Sequence, residues 1–216
     1  MGLDEAMLAA VPKGGLQLRF YRWAAPGVTF GYSQPWAYAA EQAKTRGMAH
    51  RELVRRATGG GVVFHDGDLT FSLVFPWERL SAPSLIYKNL HRGVHLGLKA
   101  AHVATRLWSP AKPVSTGSAL EKACFSGVPE PMDLVREDGI KVLGGALRRR
   151  GEKGLYQGSF RIDMLAVPLA VVRSAIVDGV AREFGHLPGL ELEQSWLAEG
   201  GRLAEKYRSD RWNKRR

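Results

Sequence analysis

The sequence predicts an α/β (α+β) fold, a single domain with a central mixed sheet flanked by helices. Three observations point there. Strand-like and helix-like stretches come in mixed order, without the regular strand–helix–strand alternation of a Rossmann-type parallel sheet. Several strand stretches are joined by short glycine turns, at Pro26-Gly27, Asp66-Gly67 and Glu137-Asp138-Gly139. The 216 residues, 45% of them hydrophobic, are enough for one sizeable core.

In chain order, "MGLDEAMLAAV" has helical spacing, with Leu3, Met7 and Leu8 on its apolar side. "LQLRFYRWAAPGVTFGYSQ" alternates Leu16, Leu18 and Phe20 with Gln17, Arg19 and Tyr21, and reads as a strand, a turn and a second strand ending at Gly31. "AYAAEQAKTRGM" is a helix closed by Gly47. "HRELVRRATGGGVVFHDGDLTFSLVFP" reads as strand, glycine turn, strand, tight turn, strand. "SLIYKNLHRGVHLGLKAAHV" is a long helix with Leu85, Leu90, Val94 and Leu98 on one side. "SPAKPVSTGSALEKACFSGVPEPM" is a Pro-, Ser- and Gly-rich loop, of a length that is usually functional or disordered. "DLVREDGIKVLGGALRRRGEKGLYQGSFRI" is a hairpin followed by further strands, and two helices close the chain. No internal repeat is visible.

Composition excludes several classes. No apolar run approaches the ~20 residues of a membrane span. The N-terminus carries two acids in its first five residues and lacks the basic region of a secretory signal, so a cytoplasmic site is expected. The single cysteine, Cys124, rules out an internal disulfide and a cysteine metal cluster. A net charge of +10 favours acidic partners. Much of it lies in Arg148 to Arg150 and the tail "KYRSDRWNKRR", which read either as a surface for acidic partners or, equally well, as no more than a solvated face and a frayed end.

Four places carry chemistry. Thr58-Gly59-Gly60-Gly61 follows Arg55 and Arg56; glycines let a ligand lie against the backbone, their N–H groups can converge on an anion, and the arginines add charge. It is neither a Walker loop nor a dinucleotide fingerprint, since Gly-Lys-Ser/Thr and the GxGxxG spacing are missing; a plain hairpin turn is the alternative. Lys141 opens a strand, and Gly144, Gly145 and Ala146 leave space on one face. It is either a solvated edge lysine or a cation aimed at a carbonyl. Cys124 lies in the long loop, away from apolar elements, with Lys122 near it in sequence. It is an inert thiol or a nucleophile activated by nearby cations such as Lys141. His65, next to Asp66, is a satisfied turn histidine or an orienting and proton-transferring group. The other histidines show no metal spacing, and His91 and His95 read as decoration of the long helix.

Together these pieces resemble the biotin/lipoate protein ligase and octanoyltransferase superfamily. The resemblance rests on "GLDEAML", "LRFYRWAAPGVTFGYSQ" (similar to the family's first hairpin), "RRATGGGVVFHDGDLTFS", "DGIKVLGGALRRR", "LYQGSF" and "EKYRSDRW". It implies a biotin/lipoate ligase-like catalytic domain over residues 1–216 with no appended accessory domain. It further implies an acyl chain in a tunnel, a glycine loop over the reactive end and an essential lysine at Lys141. Cys124-Phe125 and the short "HDGDLTFS" spacing resemble a cysteine-using octanoyltransferase branch, whereas "TGGG" is the form of ATP-using lipoate ligases.

The resemblance implies octanoyl or lipoyl transfer to the target lysine of lipoyl domains. Cys124 and Lys141 are catalytic; Arg55, Arg56, Thr58, Gly59, Gly60, Gly61, His65, Gly144, Gly145 and Ala146 bind substrate. Val62, Phe64 and Phe71 are expected in the tunnel wall. The partners implied are acyl carrier protein and the lipoyl domains of 2-oxoacid dehydrogenases or the glycine cleavage H protein. No metal or cofactor is required; ATP and Mg enter only for the alternative, a lipoate-protein ligase. A basic nucleic-acid-binding protein is the remote alternative, disfavoured because no aromatic ladder interleaves the charge.

Overall fold

Alternation of Leu69, Phe71, Leu73 and Phe75 along the strand Leu69–Pro76 sets the architecture. The computed structural model describes residues 1–78, 81–110, 129–187 and 191–215. In chain order the elements are α1 (Gly2–Ala10), β1 (Gln17–Tyr21), β2 (Gly27–Phe30), α2 (Trp36–Thr45), β3 (Leu53–Arg55), β4 (Val63–His65), β5 (Leu69–Pro76), α3 (Pro83–Ala100), β6 (Arg106–Leu107), β7 (Leu134–Val135), β8 (Lys141–Arg150), β9 (Lys153–Phe160), α4 (Leu169–Phe184), α5 (Gln194–Arg208) and α6 (Asp210–Asn213), with a 3-10 turn at Ile162–Met164. The helices and most strands follow the sequence pattern; β6, the 3-10 turn and α6 do not announce themselves in it.

The strands form two sheets. A six-stranded antiparallel sheet runs β1-β5-β9-β8-β7-β6, and a three-stranded sheet runs β3-β2-β4, with β3 parallel and β4 antiparallel to β2. The parallel pairing is thus confined to the small sheet. The hairpin expected from residues 16–31 does not form: β1 pairs with β5, whereas β2 leaves for the small sheet. The connection over Arg22–Pro26 is anchored instead by Trp23, which stacks on His65 at 4.1 Å and donates to the Thr70 hydroxyl at 2.9 Å.

On β5, Leu69, Phe71, Leu73 and Phe75 enter the main core, which α3 and α4 cover with Leu90, Val94, Val172 and Ile176. The two helices cross closely, since a Cβ on Gly93 would lie 2.6 Å from the Gly179 carbonyl oxygen. Leu85, expected on the buried side of α3, is 51% exposed, and Ile86 is buried in its place. A second core joins α1 to Val74, Leu155 and Trp196, and a third packs α2 on the small sheet through Phe30, Ala39 and Ala43.

The opposite face of the large sheet differs. There Thr70 and Ser72 of β5 stand beside Gln157 and Ser159 of β9, and all four are buried. Alternation makes these the polar positions of their strands, yet they are covered rather than solvated. Burying them is tolerable because each has hydrogen-bond partners. The interlayer between this polar face and the small sheet holds the candidate site.

Candidate functional site

The glycine loop between β3 and β4 is held from three sides. Gly60 adopts φ +83°, in the left-handed region that favours glycine. Gly31 faces it so closely that a Cβ there would lie 1.9 Å from the Gly60 carbonyl oxygen. Arg56 donates from Nη2 to the carbonyls of Gly59 (2.9 Å) and Gly61 (2.8 Å), and from Nη1 to Thr29 Oγ1 (2.9 Å). Thr58 donates its hydroxyl to Gln157 Oε1 at 2.6 Å, and Gln157 Nε2 donates to Asp4 Oδ2 at 2.6 Å, which ties the loop to the large sheet and to α1.

Under this loop lies a narrow, partly open pocket with a cavity volume of about 30 Å³. Its walls include Gly60, Gly61, Gly144, Gly145, Ala146 and Gly158, where bare or nearly bare backbone makes a slot. Arg56 and the polar residues Tyr21, Thr29, His65, Thr70, Gln157 and Ser159 also line it. The Tyr21 hydroxyl on this wall is buried without a hydrogen-bond partner among the described residues.

His65 has a defined tautomer. Its Nδ1 lies 2.9 Å from Asp68 Oδ2 and its Nε2 2.8 Å from Thr29 Oγ1. Arg56 already donates to Thr29 Oγ1, so that hydroxyl is free to donate to Nε2, while Nδ1–H donates to Asp68. Asp68 also accepts from Thr70 (3.2 Å) and from Ser159. Burial pushes the His65 pKa below the ordinary imidazole value despite Asp68. Burial alone would raise Asp68, but the bonds and charge of His65, with Ser159 and Thr70, outweigh it and hold it below the usual carboxylate value. The result is a neutral imidazole oriented by a carboxylate.

Lys141 belongs to a neighbouring cluster and does not line this pocket. Its Nζ lies 2.7 Å from Asp133 Oδ2. Asp133 Oδ1 accepts from the Tyr87 hydroxyl at 2.5 Å, and the Tyr87 oxygen accepts from the Gly145 amide at 3.1 Å. The cluster therefore reaches the pocket wall through Gly145. Strand pairing is irregular here: Leu134 faces Leu143 and Val135 faces Lys141, leaving one extra residue on β8. Such a bulge re-aims side chains and often marks a functional edge.

The other sequence-predicted residues divide clearly. Arg56, Gly60, Gly61, His65, Gly144, Gly145 and Ala146 come together at the pocket; Thr58 and Gly59 support its loop. Arg55 points elsewhere. It is 2% exposed and donates to the carbonyls of Tyr32, Gln34, Trp212, Asn213 and Arg215, clasping the end of α6. Cys124 and Lys122 lie outside the described residues. Of the expected tunnel residues, Val62 packs in the core under α2 and Phe64 against it, and Phe71 belongs to the main core; Val63 lines the pocket instead. The phase of β4 is one residue from that expected.

His91, expected as helix decoration, is fully buried. Its Nδ1 donates to the Met132 carbonyl at 2.9 Å, its Nε2 lies 2.7 Å from the Tyr156 hydroxyl, and its pKa falls to about 3 through burial and the nearby Lys141 charge. Sequence reasoning also missed Asp4, Asp68, Tyr87 and Asp133. Asp68 sits in the quoted "HDGD", but the acid read as a turn residue there was its neighbour Asp66. Among the described residues, no group of three His, Cys, Asp or Glu side chains is placed to hold a metal ion, and no helix is long and apolar enough to cross a membrane.

Comparison with known proteins places this geometry. Residues 1–177 match the family described as the lipoyl protein ligase A/B catalytic domain. The octanoyltransferase LipM of Staphylococcus aureus is 29% identical in a match spanning 98% of this chain and 92% of its own length. That of Brevibacillus brevis is 34% identical over 76% of this chain and 61% of its own. A putative lipoate protein ligase from T. acidophilum, solved with bound lipoic acid, superposes with a TM-score of 0.74 at 23% identity, covering 99% of this chain and 91% of that one. By the extent of these matches, the chain belongs to the lipoyl protein ligase A/B catalytic domain family.

Proposed function

We propose that the protein is an octanoyltransferase. It moves an octanoyl or lipoyl group from acyl carrier protein to the target lysine of a lipoyl domain, through a thioester on Cys124. The supporting observation is the slot itself: a narrow, partly open pocket walled by glycine backbone and lying inside a family fold shared with LipM octanoyltransferases.

The chemistry has two steps. The Cys124 thiolate attacks the thioester carbonyl of the octanoyl donor; the donor's carbon–sulfur bond breaks, its thiol leaves with a proton, and the acyl group is held on Sγ. The neutral amine of the target lysine then attacks the same carbonyl. The amide bond forms, the bond to Sγ breaks, and the amine's proton returns to the sulfur. In both steps negative charge collects on the carbonyl oxygen, and Lys141 is the cation assigned to it. One such donor is worth ~3 kcal/mol of barrier, on the order of 10²-fold in rate. His65, neutral and held by Asp68, is a proton acceptor on the pocket wall. The bare glycine walls of the slot let the thioester end of the acyl chain approach the backbone closely.

The test is the mass of a lipoyl domain after incubation with the enzyme and octanoyl-carrier protein, without ATP. One octanoyl group should be gained with the wild type and lost with Cys124→Ser. Modification that appears only with ATP and free lipoate, and survives Cys124→Ser, identifies a lipoate-protein ligase instead.

A further inference from the structure

Lys141 is surrounded by an unusually expensive set of interactions. Asp133 is 0% exposed, and the Lys141 side chain is 9% exposed. Withdrawing both charges from water costs several kcal/mol per ion, and a well-packed apolar pair would be as stable or more so. Stability therefore does not explain why the pair is here. The segment around Asp133 is strained as well. Met132, immediately before it, is a non-glycine residue at φ +70°, a conformation that costs on the order of 1–3 kcal/mol and tends to mark functional sites. The strand bulge at Leu134/Val135 follows directly.

The surroundings fix Asp133 in three ways. Its Oδ2 accepts the Glu130 amide at 2.7 Å as well as Lys141, so the turn from Glu130 to Asp133 is closed by its own carboxylate. Its Oδ1 accepts from Tyr87. Tyr87 in turn packs at a tilt against His91 with ring centroids 4.0 Å apart, and His91 holds the Met132 carbonyl. The Tyr87 oxygen also takes the Gly145 amide, which fixes the distance between this cluster and the pocket wall.

Resting on the reading of Lys141 as the oxyanion donor, we propose that Asp133 and Tyr87 are positioning residues that aim the Lys141 ammonium at the acyl carbonyl. Asp133 holds the ammonium by charge, and Tyr87 clamps Asp133 to Gly145.

The experiment uses the full chain with the substitutions Asp133→Asn, Asp133→Glu and Tyr87→Phe, each checked for folding by a urea melt. Single-turnover octanoylation should slow about 10²-fold in Asp133→Asn with KM unchanged, because a displaced catalytic group affects the transition state more than binding. Asp133→Glu should recover part of the rate, and Tyr87→Phe should lie between. An Asp133→Asn enzyme as fast as wild type, while Lys141→Ala is inactive, overturns the proposal. A second measurement needs no activity: reductive methylation with peptide mapping. Lys141 should be protected in the wild type and labelled faster in Asp133→Asn, or in Tyr87→Phe if Asp133→Asn fails to fold. Equal labelling of Lys141 in wild type and variant overturns the proposal even if no acyl transfer is found. Transfer absent from the wild type, with Lys141 protected, counts against the proposed function alone.

Discussion

Burial sets the pH behaviour of His91. Its pKa is about 3 in the folded chain against 6.5 in the unfolded one, so between these values only the unfolded state binds the proton. Stability is complete above pH 6.5 and falls on acidification toward pH 3, at about 1.4 kcal/mol per pH unit. His65, also held below its usual value, adds a loss of the same sign. Urea melts at descending pH should show this slope, and His91→Gln should flatten it; an unchanged slope would mean that the imidazole is not buried neutral. Arg55 and Arg56 make a second residue-scale point. The motif names both, but successive side chains of an extended backbone point opposite ways, and nothing local says which arginine turns to the glycine loop. Arg56 holds the loop, and Arg55 ties residues 212–215 to the carbonyls of Tyr32 and Gln34 with five hydrogen bonds from one planar fork. Arg55→Lys keeps the charge and loses the fork. It should destabilise by roughly 3 kcal/mol, since several buried carbonyls lose their donor, with early proteolysis near Trp212 as a second readout.

At the scale of elements, strand existence was legible and strand partnership was not. Alternation in Leu16–Tyr21 and turn residues at Pro26-Gly27 support two strands and a turn, yet β1 and β2 enter different sheets. Pairing is decided by long-range partners such as β5 and β3, which no local pattern encodes. The polar stripe Thr70, Ser72, Gln157 and Ser159 has the same limit: alternation places it on one face, and only the tertiary fold shows that this face is covered. The glycine loop is where local and long-range information agree. Gly31→Ala tests that contact. Its Cβ would meet the Gly60 carbonyl, so the loop must move. Overpacking of this kind costs about 1–3 kcal/mol, and octanoyl transfer should fall further than the melt alone would indicate, because the displaced loop forms the pocket roof.

For the molecule as a whole, the net charge of +10 concerns encounter rather than fold. Acidic carrier proteins should be drawn to it, so KM for octanoyl-carrier protein should rise with ionic strength while kcat stays constant; a salt-independent KM argues against electrostatic docking. The candidate site was legible as far as the glycine loop, His65 and the small residues of β8, because special backbone needs leave special residues. Asp133, Tyr87 and His91 were not legible, because a buried aspartate, tyrosine or histidine looks in sequence like an exposed one. The most direct measurement is the intact mass of the enzyme after mixing with octanoyl-carrier protein and no ATP, followed by peptide mapping. One octanoyl group should appear on Cys124, be absent from Cys124→Ala, and disappear when a lipoyl domain is added. An enzyme that stays unmodified while the lipoyl domain is acylated only in the presence of ATP and free acid contradicts the covalent route.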